Sequence, residues 1–523
     1  MQYTFTQQSL EIGQTILASR ALLSRKEFGQ FLTPLPLARY MAQQLGPIRT
    51  GDCLLDPAMG SGTLLCAVIE RLIEANQPTE IWIDGFEVDG ELLAAASAIL
   101  SALVNYAAEY GIQVHLNTFQ ADYLLNGLHH LRPSLLESTV GRSHYQRIIA
   151  NPPYFKIKPT DVRRHMSESL LSGQTNIYTL FMALAIRMLH NGTACFLVPR
   201  SFCSGEYFTH FRRDLVDRVS IRRIHLFEAR DDAFGTDKVL QENVLISFTA
   251  PRADDLQDSL EISASATLDD LSRGTIARTI SRRQFISPQG LFRLPTSDLD
   301  DAILQVVDSW TGSLNAYGMA ISTGPVVPFR AEAYLQIEAD GDSHVPLLWM
   351  QHVKAQEVTW PLHHPFRKPQ FIISSAATKP LLVRNANYVL LRRFSAKEEQ
   401  RRLIAAPFLA YRFAYSLIGL ENHLNYVHRS TTDLSVEEAV GLSALFNSGL
   451  IDRYVRISNG NTQVNAAELR DLPLPPQQAI INIGQVVLNA ANNADLDALV
   501  IQLLQELGLI PSNFPVLRET RSA

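Results

Sequence analysis

Asn151-Pro152-Pro153-Tyr154 closes the apolar run Arg147-Ile148-Ile149-Ala150, and its residue types suit the binding of a planar base. Each proline fixes its own φ near about −65° and holds the residue before it extended. The Asn151 side chain and the Pro152 carbonyl therefore point in set directions as two acceptors, and Tyr154 adds an aromatic face. Alone, such a tetrapeptide is an ordinary Pro-Pro turn after a strand. It becomes a base-binding catalytic loop if other chemistry-bearing residues share its edge.

Three earlier stretches end the same way. Gly51–Asp56 reads as a short strand running into Asp56-Pro57-Ala58-Met59-Gly60-Ser61-Gly62, followed by a helix from Leu64 to Ile73. Glycines there let backbone approach a ligand, and the helix start offers free N–H groups. The loop has no lysine and carries Asp56, so it disfavours phosphate and suits a cationic or ribose-bearing nucleoside cofactor. A second strand, Ile81–Phe86, ends in Glu87-Val88-Asp89, where an acid at a strand's carboxyl end can hold ribose hydroxyls. A third, Val114–Phe119, leads to Asp122-Tyr123: Asp122 can accept from an adenine amino group while Tyr123 packs on its ring. Before all of these, Thr33-Pro34 stands at the start of a helix marked by Leu37, Tyr40, Met41 and Leu45, where a capping role accounts for Thr33.

The elements that must position these residues alternate. A helix is expected over residues 7–24. Beyond Tyr154 come an apolar helix to Leu189, a strand Thr193–Pro199, a helix Glu206–Val216, a strand Ile221–Phe227, and a strand pattern Val239–Phe248 after Asp232-Ala233-Phe234-Gly235-Thr236. Strands alternating with helices imply a doubly wound, mainly parallel α/β sheet covered on both faces, with polar strand ends converging at one carboxyl edge.

Composition sets the outer bounds. With 523 residues, 46% hydrophobic and 19% charged, the chain is long enough for two or three globular domains. No apolar run approaches the roughly 18 residues of a membrane span and no signal-peptide pattern opens the chain, so a cytoplasmic protein without a membrane association is expected. Four cysteines without C-x-x-C spacing suggest neither a disulfide framework nor a metal site. The net charge of −6 is shared by both halves, which leaves any nucleic-acid surface to local basic clusters.

Past Ala250 prolines and short β-like pieces replace the alternation. A boundary is placed between residues 252 and 253, giving a catalytic domain, 1–252, and an α+β domain, 253–523. Arginines stand among aromatics and amides in Arg384-Asn385-Ala386-Asn387-Tyr388, Arg392-Arg393-Phe394, Arg401-Arg402, Tyr411-Arg412-Phe413 and His423–Arg429, types that can contact phosphates and base edges.

Taken in order, Gly29-x-x-x-Thr33-Pro34, Asp56-Pro57-Ala58-x-Gly60-x-Gly62, Glu87-x-Asp89, Ala121-Asp122-Tyr123 and Asn151-Pro152-Pro153-Tyr154 resemble the gamma-class DNA adenine-N6 methyltransferases of restriction-modification systems. The resemblance covers residues 26 to about 250, with a further likeness at Gly460-Asn461-Thr462-Gln463-Val464-Asn465 and Leu472-Pro473-Leu474-Pro475 to the closing part of target-recognition domains. It implies a Rossmann-like methyltransferase sheet, S-adenosylmethionine as methyl donor, and a C-terminal target-recognition domain. Thr33, Asp56 and Ala58 would lie near the methionine part of the cofactor, Glu87 on its ribose, Asp122 and Tyr123 on its adenine, with Gly60 also among the cofactor-binding residues. Asn151 and Pro152 would act on the amine of a flipped adenine in duplex DNA, Tyr154 would stack on its ring, and Phe234 would pack its edge.

The exocyclic amine is a poor nucleophile because its lone pair is delocalised into the ring. Two acceptors on its hydrogens return density to nitrogen, by orientation and electrostatics and without a strong base. A stacked base cannot reach such a loop, so it must be turned out of the duplex. Competing readings are a protein-glutamine or RNA base methyltransferase and a non-catalytic DNA specificity protein. The long second half argues against the first, and intact Asn151, Tyr154, Asp56 and Glu87 argue against the last. A monomer is expected, with any restriction endonuclease on a separate chain.

Overall fold

The computed structural model describes residues 4–20, 31–131, 139–173, 176–227, 242–250, 258–339, 343–363, 365–394, 401–458, 465–491 and 494–515. Two compact units divide the chain, Met1–Thr296 and Ser297–Ala523.

The first unit is built on nine strands: β1 (Cys53–Asp56), β2 (Thr79–Glu87), β3 (Ile112–Gln120), β4 (Tyr145–Ala150), β5 (Leu189–Pro199), β6 (Ser220–Phe227), β7 (Asn243–Thr249), β8 (Ser259–Ser265) and β9 (Ala277–Ser281). They form one sheet in the order β3-β2-β1-β4-β5-β7-β6-β8-β9. Pairing is parallel from β3 through β5, and β7 runs antiparallel between β5 and β6. Helices cover both faces. Thr4–Ala18, Leu35–Gln44, Thr63–Ala75 and Gly90–Ala108 bury their apolar stripes on one side; Tyr123–Leu131, Ile177–Met188 and Thr209–Arg218 do so on the other. β4, central in the sheet, is almost wholly buried, whereas β3 at the edge alternates half-buried and exposed residues.

Four expectations change. The first helix ends at Ala18, short of residue 24. The helix after Thr33 begins at Leu35 with Pro34 as its N-cap and no side-chain cap, so Thr33 is freed from the capping role. The helix Gly90–Ala108, at 19 residues, has the length and hydropathy of a membrane span, contrary to the sequence reading; Leu92, Ala96, Leu100 and Leu103 are nevertheless buried in the unit. The domain boundary moves from 252/253 to Thr296/Ser297 because the sheet continues. β8 pairs parallel with β6, and β9 closes antiparallel on β8. The expected boundary thus falls between two strands of one sheet, and residues 251–257 lie outside the described residues.

The second unit is α+β. It holds a four-stranded antiparallel sheet containing Ala320–Thr323, Leu424–His428, Tyr388–Arg392 and Ala405–Phe408, a five-stranded mixed sheet, and helices including Val436–Asn447 and Gln477–Asn489. Gly441 and Gly484 let these two helices touch backbone to backbone, since a Cβ on Gly441 would lie 1.9 Å from the Ile480 carbonyl.

Candidate active site

Parallel neighbours β2, β1 and β4 deliver Glu87, Asp56 and Asn151 to the same carboxyl edge. Asp56 ends β1 fully buried. Its Oδ1 accepts from the Ala58 N–H at 3.1 Å, and its Oδ2 has no hydrogen-bond partner among the described residues. Burial pushes its pKa up to about 8, with the Glu87 charge adding to the rise against the Ala58 N–H. An unpartnered buried carboxyl oxygen beside a glycine turn fits a cationic amino group.

Glu87 closes the turn from the other side. Its two oxygens accept from the N–H groups of Gly60 and Asp89, each at 2.9 Å. Burial raises its pKa, and those two N–H groups oppose the rise. Gly60 and Gly62 hold φ of 55° and 89°, left-handed values that favour glycine. Gly85 is needed for space: a Cβ there would sit 2.5 Å from the Met59 sulfur. Ala58 lies partly buried at the mouth of this turn.

Asn151 sits in a web of oxygens. Its Nδ2 donates to the Phe31 carbonyl at 3.1 Å and to the Thr33 hydroxyl at 3.0 Å. Its Oδ1 accepts from the Tyr154 hydroxyl at 2.6 Å, and that hydroxyl also faces the Leu197 carbonyl at 2.9 Å. A carbonyl can only accept, so the side facing Phe31 must be the NH₂. Tyr154 is half-buried, its ring stacked on Phe31 with centroids 6.3 Å apart at 22° and edge-on to Tyr178. Pro152 is buried behind it.

The third stretch departs from expectation. Tyr123 is 2% exposed, packs against Phe86 and Phe181, and donates to the Met188 sulfur. It is a core tyrosine, because the helix begun there turns its ring under the sheet. Asp122 has Oδ1 on the Leu125 N–H at 3.1 Å and Oδ2 on Arg163 at 3.3 Å. Arg163 also pairs with Asp161 and lies over the Phe155 ring. Phe234 lies outside the described residues, as do Gly460–Val464.

Sequence reasoning brought together Thr33, Asp56, Glu87, Asn151 and Tyr154. It missed Phe31, Arg163 and the Leu197 carbonyl. Phe31, two residues before Thr33 and aromatic, was the one detectable signal; a single arginine in a polar loop and a main-chain carbonyl carry none.

A family model described as Eco57I restriction-modification methylase matches residues 107–234. The type II methyltransferase M.BsuBI of Bacillus subtilis is 31% identical over 492 residues, covering 92% of this chain and 95% of that protein. The chain belongs to the type II methyltransferase family. M.PstI of Providencia stuartii is 30% identical over 92% of the chain and 94% of its own length. Among solved structures, a cryo-EM DrdV–DNA complex shares the fold, with a TM-score of 0.52 at 14% identity over 92% of this chain and 59% of that one. As a restriction-modification methyltransferase the chain uses S-adenosylmethionine. Asp56 and Glu87 are the residues present that fit its cationic amino group and its ribose hydroxyls. Asp122 is already engaged by Arg163, and Tyr123 is too deeply buried to meet its adenine.

Proposed function

We propose that this methyltransferase modifies the N6 amino group of an adenine turned out of duplex DNA, at a sequence read by the second unit, and so protects host DNA from a separately encoded endonuclease. The observation that carries the reading is adjacency. Asp56 and Asn151 end neighbouring parallel strands at one edge, so a cofactor held at the first presents its methyl group beside an amine held at the second.

When bound, S-adenosylmethionine supplies an electrophilic methyl group. The chain's own task is to orient and enrich the amine. Asn151 Oδ1 has a second lone pair beside the one used by Tyr154, and with the Pro152 carbonyl it can accept both amine hydrogens. Once bound, the cofactor would give up its methyl group and leave as a neutral thioether, while Asn151 Oδ1 and the Pro152 carbonyl would hold the amine until its surplus proton passes to water. No strong base is needed, which agrees with an edge whose nearest carboxyls, Asp56 and Glu87, are committed to holding ligand and turn.

Asn151→Ala tests the assignment. Methyl transfer to duplex DNA should fall by roughly a hundred- to a thousandfold, with cofactor affinity unchanged in calorimetry. Full activity of this variant would remove Asn151 from the mechanism. Long-read sequencing of DNA from cells expressing the protein would report the modified base and its context; a modified cytosine, or none, would contradict the adenine assignment.

A further inference from the structure

The hydroxyl of Thr33 has no part in starting its helix, yet the residue is 4% exposed and its Oγ1 stands 3.0 Å from Asn151 Nδ2. We infer that Thr33 is a positioning residue for methyl transfer: the Phe31 carbonyl sets which end of the Asn151 amide meets the amine, and the Thr33 hydroxyl completes the Nδ2 hydrogen bonds and holds the amide plane in place. This rests on the reading of Asn151 given above.

An asparagine amide is nearly symmetric in shape and opposite in chemistry at its two ends. Turned by half a rotation about χ2, Asn151 would present two N–H donors to an amine that itself offers donors, and the contact would be repulsive. The Phe31 carbonyl opposes that rotation because it can only accept. In the orientation it sets, the Thr33 hydroxyl gives Nδ2 its second acceptor and the Tyr154 hydroxyl, which also faces the Leu197 carbonyl, stands 2.6 Å from Oδ1. Satisfying both N–H bonds also polarises the amide and leaves Oδ1 a stronger acceptor. Of these groups the Phe31 carbonyl is main chain and the Tyr154 hydroxyl belongs to the residue placed against the target base, so the Thr33 hydroxyl is the one to delete.

The same short stretch reaches the cofactor turn. Leu32, between Phe31 and Thr33, rests over the glycine loop: a Cβ on Gly60 would lie 3.7 Å from its Cδ2, and one on Gly13 of the first helix 2.8 Å from its Cδ1. The Phe31 ring meanwhile stacks on Tyr154. Residues 31–33 thus form a splint that touches the cofactor turn with one side chain and the catalytic loop with a ring, a carbonyl and a hydroxyl.

The experiment uses the full-length enzyme and a duplex containing its mapped target. Thr33→Val, close to isosteric but lacking the hydroxyl, should lower kcat at saturating DNA and cofactor by about tenfold. Cofactor Kd and melting temperature should stay at wild-type values, and Thr33→Ser should restore kcat. With 2-aminopurine at the target adenine, the fluorescence rise on binding should be as large for Thr33→Val as for wild type, placing the loss after base entry. Thr33→Ala carries the same expectations should valine not fit the buried seat. A folded Thr33→Val or Thr33→Ala with wild-type kcat overturns the inference. So does a loss confined to cofactor Kd, which would make Thr33 a cofactor contact, or a kcat that serine fails to restore. If Asn151→Ala is itself fully active, the functional reading fails first, and that result is distinct from all of these.

Discussion

At the scale of single residues, the buried Asp56 carboxyl couples cofactor binding to proton release. With its pKa pushed up to about 8, Asp56 is largely protonated near neutral pH in the ligand-free protein. A cationic amino group at Oδ2 favours the ionised form, so binding expels a proton, and affinity rises with pH until it levels above the Asp56 pKa. Calorimetry at pH 7 in two buffers of different ionisation enthalpy should therefore show about one proton released per cofactor bound. Asp56→Asn should bind more weakly and release none; unchanged proton release in that variant would place the amino group elsewhere. Residue types were legible here because they are chemically committed: an acid in a glycine turn, an amide before two prolines. Thr33 and Tyr123 were misjudged for a common reason. Both stand at helix starts, where sequence supports several roles equally, and only the packing decides that Tyr123 turns into the core while the Thr33 hydroxyl turns to Asn151.

At the scale of elements, the late strands of the first unit hold together through a buried histidine. His225 on β6 is fully buried, with its ring nitrogens 2.9 Å from the Ser263 hydroxyl and 3.0 Å from the Ser265 hydroxyl on β8. Burial, with the nearby Arg223 charge, lowers its pKa to about 4. The unfolded chain binds the proton from about pH 6.5 downward and the folded chain resists until about 4, so this site's stability is full above pH 6.5 and lost as pH falls toward 4. The loss should reach about 3 kcal/mol. Melting curves between pH 7.5 and 4 should show a drop that His225→Gln flattens; parallel curves for the two proteins would count against it. The elements themselves were largely legible because β1 to β6 follow the strand–helix alternation. The extension was not. β8 is short and mixed, Ser-Leu-Glu-Ile-Ser-Ala-Ser, and its hydroxyls serve His225, so no apolar run marks it as a strand although it belongs to the ladder.

At the scale of the whole chain, the two units differ in how far their sequence announces them. The first repeats a pattern whose period is fixed by backbone geometry. The second uses short strands and three-residue turns whose pairing partners are far apart in sequence, such as Leu347 with Gly419, and no local periodicity reports such partners. Its basic clusters are largely engaged within the unit. Arg384 pairs with Asp433, Arg401 with Asp497 and Arg429 with Glu438, and Asn385 donates to the carbonyls of Ala410, Phe413 and Tyr415. Most of these side chains hold the unit together, whereas Tyr411, 70% exposed with the Arg412 guanidinium 5.8 Å from its ring centroid, offers an open surface. The revised boundary has a direct test. A fragment ending at Thr296 keeps every strand of the nine-stranded sheet and should fold cooperatively and bind cofactor. One ending at residue 252 lacks β8 and the partners of His225 and should melt lower or aggregate; equal melting of the two would restore the earlier boundary.

The reversal of β7 has one more consequence. Because β6 runs parallel to β5 and β7 runs back between them, Phe227 and Asn243 emerge at the same edge as Asn151, anchored by the pairs Leu226–Val244 and Pro199–Asn243. The segment between them is thus inserted at a fixed doorway. The closure entropy of such an insert grows only with the logarithm of its length, so this position can gain or lose residues while the sheet beneath keeps its register. It is a natural grafting point, where an insert can be exchanged without rebuilding the sheet beneath it.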